Sequence, residues 1–130
     1  MIEIKLRAWD KKDKYMFRPS SLHFSSSGSF LYVINPYLKE RYSRDIELMR
    51  YIGLMHPHER EIYGEDIAKY KDEHGIEQIG LVVDLGWEVY IQAVGGDDEG
   101  NQDLELHPDY CYGIEIIGNK FETPELLERK

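Results

Sequence analysis

Apolar and polar residues alternate from the start of the chain. Ile2, Ile4, Leu6 and Ala8 fall on one side, and Glu3, Lys5, Arg7 and Trp9 on the other. A period of two is the pattern of a strand with one buried face. Asp10-Lys11-Lys12-Asp13-Lys14 reads as a charged turn and Tyr15-Met16-Phe17 as the returning arm of an N-terminal hairpin. A serine-rich stretch holds Leu22 and Phe24, a Ser-Gly turn follows, and Phe30-Leu31-Tyr32-Val33-Ile34 forms the next strand. Asn35-Pro36 stops it, because proline cannot donate to a ladder. Tyr37 to Ser43 fits a helical turn or an irregular loop equally well. From Asp45 to Tyr51 alternation resumes, with Ile46, Leu48 and Arg50 set against Glu47, Met49 and Tyr51.

Further along, Gly53 to His58 reads as a loop and Asp66 to Lys71 as a strand. Asp72-Glu73-His74-Gly75 reads as a hairpin turn with glycine at a left-handed position. Ile79 to Leu85 and Trp87 to Val94 are β-rich runs joined or bent at Gly86, where a bulge is expected. Gly95 to Asn101 is a flexible tip, and Ile114 to Ile117 a last strand. Thr123-Pro124-Glu125 supplies an N-cap residue, a proline at the first helical position and an acid in the first turn, so a short C-terminal helix is expected. Many short strands between Gly and Asp turns predict a mainly β fold, a small barrel or rolled antiparallel sheet. With no internal repeat or linker, residues 1–130 are expected to form one domain.

Composition narrows the class. No apolar run approaches the roughly 18 residues of a membrane-spanning helix, so no membrane association is expected. The N-terminus lacks a basic stretch leading into an apolar one, and Cys111 is the only cysteine; both point to a reducing cytoplasm with no secretory signal. The 25 acidic and 16 basic residues give a net charge of −9, which disfavours direct contact with phosphate backbones. The ten tyrosines suit half-buried sheet surfaces and protein-binding faces.

Three blocks carry a family resemblance. They are Lys5-Leu6-Arg7-Ala8-Trp9-Asp10 followed by a Lys-rich turn and Tyr15-Met16; Leu48-Met49-Arg50-Tyr51-Ile52-Gly53-Leu54 with Glu61-Ile62-Tyr63 and Asp66-Ile67; and the closing run Ile116 to Leu127, which contains Gly118-Asn119-Lys120-Phe121 and Thr123-Pro124-Glu125. In this order they resemble the YopX family. Two departures concern turn geometry: glycine stands one residue early in Gly64-Glu65-Asp66, and His58-Glu59-Arg60 replaces a glycine-containing turn. The resemblance implies an SH3-like β-barrel, a phage or prophage origin and action in the cytoplasm of the bacterial host. It implies no activity and brings no catalytic residues.

Candidate chemistry is sparse. His56-Pro57-His58 with Glu59 and Glu61 has metal-ligand chemistry, and His107 is a further histidine that the sequence does not bring to them. The i, i+2 spacing around a proline matches no metal motif, so a solvated loop is the favoured reading. Asp97 to Asp103 fails the EF-hand test, with Gln102 at the glycine position and Pro108 at the bidentate one. Cys111 has Asp109 and Glu115 near in sequence, which oppose a reactive thiolate. No hydrolase elbow or phosphate-binding glycine loop occurs. No catalytic residue, metal or cofactor is therefore expected.

Recognition residues are sought among Trp9, Tyr15, Tyr51, Trp87 and Tyr90, because small β folds bind through exposed aromatics. For Trp9 and Trp87 core packing is the competing role. The expected function is a non-enzymatic module that binds a protein partner or a second copy of itself. The alternatives are nucleic-acid association, an acidic decoy for a DNA-binding protein and, last, a metal-dependent enzyme.

Overall fold

A computed structural model describes residues 5–55, 61–72, 74–86, 88–94, 104–105 and 114–128. The fold is mainly β, as the alternation predicts. It is built of antiparallel sheets, one of them curled into a half-barrel, with no long helix among the described residues. The chain divides into two compact units, Met1–Arg50 and Tyr51–Lys130.

In the first unit, β1 (Leu6–Asp10) turns back into β2 (Tyr15–Phe17), pairing Asp10 with Tyr15 and Ala8 with Phe17. Then β3 (Ser21–Phe24), β4 (Phe30–Ile34) and β5 (Glu40–Tyr42) form a three-stranded sheet with β4 central. The ambiguous segment after Pro36 is thus a tight turn feeding a strand. A single 3₁₀ turn, Ser43–Asp45, leads to β6 (Ile46–Met55), whose first half pairs with β1. Ala8, Phe17, Val33 and Ile46 make the core, with Tyr15, Leu22 and Phe30 packed against it.

The one-faced alternation of β1 and β6 is not kept. Trp9 and Met49 are buried alongside Ala8 and Ile46, while Leu48 is exposed. Strand β1 is therefore covered on both faces at Ala8 and Trp9, which period-two patterning alone does not signal.

In the second unit, the latter half of β6 pairs with β7 (Glu61–Tyr63). The larger sheet has the order β11-β10-β9-β8-β12, from β8 (Asp66–Lys71), β9 (Glu77–Asp84), β10 (Val89–Ala93), β11 (Leu104–Glu105) and β12 (Glu115–Asn119). Its core joins Ile62, Ala68, Tyr70, Val82, Ile91, Ala93, Ile114 and Ile116. The Asp72 turn forms as expected, with Gly75 at φ +74°. Gly86 joins the two runs, as one of its expected roles has it, in the turn between β9 and β10, and does not form a bulge. Its φ is +90°, and the amide of Leu85 reaches the Glu88 carbonyl at 2.9 Å.

The C-terminal helix is one 3₁₀ turn, Pro124–Leu127, and the Thr123 hydroxyl does not cap it. That hydroxyl instead donates to the Asn119 carbonyl and accepts from the Asn119 amide, both at 3.1 Å. The buried Asn119 side chain accepts from the amides of Phe121 and Glu122 at 3.0 and 2.9 Å. Capping capacity is thus spent on the preceding turn. No described helix is long and apolar enough to cross a membrane.

Candidate functional site: a cleft between two hairpin turns

The first unit has two turns built by the same chemistry. After β1, the fully buried carboxylate of Asp10 accepts through Oδ1 from the amides of Lys12 and Asp13, each at 2.9 Å. After β4, the buried Asn35 accepts through Oδ1 from the amides of Tyr37 and Lys39, again at 2.9 Å. Asp and Asn side chains can stand in for the strand ladder at a turn in this way.

Three further hydrogen bonds tie the turns together. Arg41 donates from Nε to Asp10 Oδ2 at 2.9 Å and from Nη2 to Asp13 Oδ2 at 3.1 Å. Asn35 Nδ2 donates to the Tyr15 hydroxyl at 3.2 Å. Between them opens a cleft of about 380 Å³ lined by Asp13, Tyr15, Asn35, Tyr37, Lys39 and Arg41.

Electrostatics fixes the floor. Burial pushes the Asp10 carboxyl up, but the Asp13 amide, the Arg41 guanidinium and the Lys12 amide together outweigh it and hold the group below the ordinary carboxylate range. Arg41 is held more firmly protonated by Asp10 and then Asp13. Burial raises Tyr15, with Asn35 opposing only in part, so its hydroxyl keeps its proton. Asp10 is thus held ionised, and Arg41 and Tyr15 protonated, at neutral pH.

The rim is different. Tyr37 and Leu38 are 72% and 82% exposed, and the Tyr37 ring lies 6.4 Å from that of Tyr15, centroid to centroid. A second row of rings crosses the three-stranded sheet. His23 stacks on Tyr32 at 4.4 Å, Tyr32 lies 5.8 Å from Tyr42, and the Arg44 guanidinium sits 5.5 Å above the Tyr42 ring.

Of the aromatics expected to recognise a partner, Tyr15 lines this cleft. Trp9 is buried at 8% exposure. Tyr51 sits on β6 with its ring 5.7 Å from Tyr63. Tyr90 is half-buried on β10 opposite Val83, and Trp87 lies outside the described residues. The segments with His56, Pro57, His58 and Glu59, Asp97 to Asp103, His107 and Cys111 also lie outside them, while Glu61 accepts from the Tyr63 hydroxyl at 2.9 Å. Among the described residues, no group of three or more His, Cys, Asp or Glu could hold a metal ion.

Tyr37, Lys39 and Arg41 are not distinguished by pattern. Their one signal is Asn35-Pro36, which marks a turn but not what the turn carries. The net charge also hides a division. Residues 1–50 hold ten basic and six acidic side chains, for +4, whereas residues 51–130 hold six and nineteen, for −13. The whole-chain argument against anionic partners therefore does not apply to the first unit.

The YopX protein family matches residues 5–128. The crystal structure of protein yopX from Bacillus subtilis is similar at a TM-score of 0.63 with 18% identity, covering 95% of this chain and 98% of that one. A crystal structure of a protein from Enterococcus faecalis also gives a TM-score of 0.63, with 22% identity over 98% of this chain and 100% of that one. At these identities the likeness establishes the fold. No curated protein matches the chain.

Proposed function

This chain belongs to the YopX family, and we propose that it acts as a non-enzymatic interaction module, encoded by a phage or prophage and working in the cytoplasm of the bacterial host. The observation that carries the reading is the pair Tyr37 and Leu38. They are held out to solvent on a turn whose Tyr37 and Lys39 amides both bond to the buried Asn35. Large apolar side chains presented on rigid backbone beside a cleft suit protein recognition, because little ordering entropy is left to lose on binding.

The cleft's own chemistry supports a role without catalysis. A general acid or base works best with a pKa near the operating pH. Here Asp10 is held ionised by three donors and Tyr15 is held protonated.

The partner is another protein or a second copy of this chain. A tagged full-length chain recovered from lysogenic host cells, with and without nuclease, tests this. The expected result is a nuclease-resistant protein partner whose recovery falls sharply with Tyr37→Ala. Recovery unaffected by that substitution, or abolished by nuclease, would overturn it.

A further inference from the structure

Both turns beside the cleft place a side chain where glycine would fit more easily. Lys14 has φ +56° and Leu38 φ +63°, conformations that crowd Cβ against the following carbonyl oxygen. The turns themselves use only backbone at these positions. The Lys14 amide donates to the Asp10 carbonyl at 2.9 Å and the Leu38 amide to the Asn35 carbonyl at 3.0 Å. Backbone strain kept with a side chain that the turn does not need points to work for that side chain.

Charge says what the work is. Arg41 is committed to Asp10, Asp13 and the Glu40 carbonyl. Lys11 pairs with Glu47 and Lys12 with Asp45. Lys14 precedes Tyr15, Lys39 lines the cleft, and among the described residues neither ammonium has an ion-pair partner. Lys39 thus stands among the cleft's residues with Tyr15 and Tyr37, while Lys14 and the exposed Leu38 are the chain neighbours of those residues on the two turns, on a unit of net charge +4.

Resting on the interaction reading, we infer that the cleft takes an acidic peptide segment of a partner protein, with an apolar residue beside its carboxylates. Lys14 and Lys39 pair with the carboxylates, and Tyr15, Tyr37 and Leu38 pack the apolar side chain. A nucleic-acid strand fits less well. Two free cations make a short electrostatic track, Asp13 lies within the cleft, and a leucine offers a base no stacking face.

The test is fluorescence anisotropy on the full chain with three labelled probes. These are an eight-residue glutamate peptide with central leucine and phenylalanine, its glutamine counterpart, and a ten-nucleotide oligothymidylate. The glutamate peptide is expected to bind about tenfold more tightly than the glutamine one at low salt, the effect of two exposed ion pairs acting together. The advantage should shrink as salt rises. Lys14→Gln with Lys39→Gln should remove it. Leu38→Gly, which relieves the backbone and so keeps the fold, should weaken binding severalfold with little change in melting temperature.

Equal binding of the two peptides, tighter binding of oligothymidylate, or indifference to Leu38→Gly would overturn the inference. So would self-association that consumes the same lysines, seen by sedimentation, since a second copy would then fill the cleft. If neither peptide binds while capture from cells still depends on Tyr37, the acidic chemistry fails and the interaction reading stands. Capture indifferent to Tyr37 removes the interaction reading itself.

Discussion

The two units solve the problem of a short β chain in different ways. Among the described residues, the longer second unit gathers eight buried hydrophobic residues into one cluster, and the shorter first unit gathers four. The first unit adds polar bonds to this small core: the buried Asp10 binds Arg41 and two amides, and the buried Asn35 binds two amides and Tyr15. A buried polar group contributes only when fully satisfied, and it then fixes one geometry more strictly than apolar contact does. In the first unit these bonds define two turns, and the cleft lies between them. Buried polar turn residues also occur in the second unit, at Asp66 and Asn119. There the Glu65–Lys120 pair stands beside them at 3.6 Å.

If the comparison is right, the largest loss comes from the apolar unit. Ile62→Ala empties a fully buried site and should cost about 2–5 kcal/mol, read as a lower urea midpoint. In the polar unit, Asp10→Ala should cost about 3 kcal/mol. That is the lower end for a broken buried pair, because Arg41 keeps some solvent contact and Asp13.

Asp10 also has a pH signature. Its folded pKa lies below the unfolded value of about 3.9, so as pH falls the unfolded chain takes up the proton first. The stabilisation is complete above the unfolded value and is lost as pH drops through the folded one. Acid unfolding of the parent should steepen there, and Asp10→Asn should flatten the curve. An unchanged profile would remove Asp10 from its central place.

Gly118→Val sharpens the comparison in the second unit, since a Cβ there would collide with the Thr123 hydroxyl. A loss of about 1–3 kcal/mol is expected, and melting like the parent would contradict it. Leu38→Gly should have the smallest effect on stability, less than about 1 kcal/mol. Relief of left-handed strain and the greater entropy of the unfolded glycine chain oppose each other.

Much of the fold is legible in the residues. Period two locates β1 and the first half of β6, the hairpin reading gives β2, the runs at Phe30 and Asp66 give β4 and β8, and Asp72 to Gly75 announces its own hairpin. What patterning misses is mostly tertiary. Strand β5 is three residues long and is defined by Val33 pairing with Arg41, which no local signal reveals. Leu48 reads as an inward residue but is exposed, because Ile46 and Met49 are covered from opposite faces of β6. The cleft was legible only at Tyr15. Asp10 and Asn35 look like ordinary turn residues until their burial is seen, and the positive φ of Lys14 and Leu38 leaves no mark in composition. The +4 against −13 division could be counted from the residues alone, but only the structure supplies the boundary that gives it meaning.

The proposed recognition site is a preformed cleft in the basic unit. Backbone amide shifts of the isotopically labelled full chain, followed by NMR while the glutamate peptide is added, address it directly. The shifts that move should cluster at residues 13–15 and 35–41, with the amides of β8 and β9 unmoved. Perturbation centred on residues 51–130, or none at peptide concentrations in the millimolar range, would contradict it.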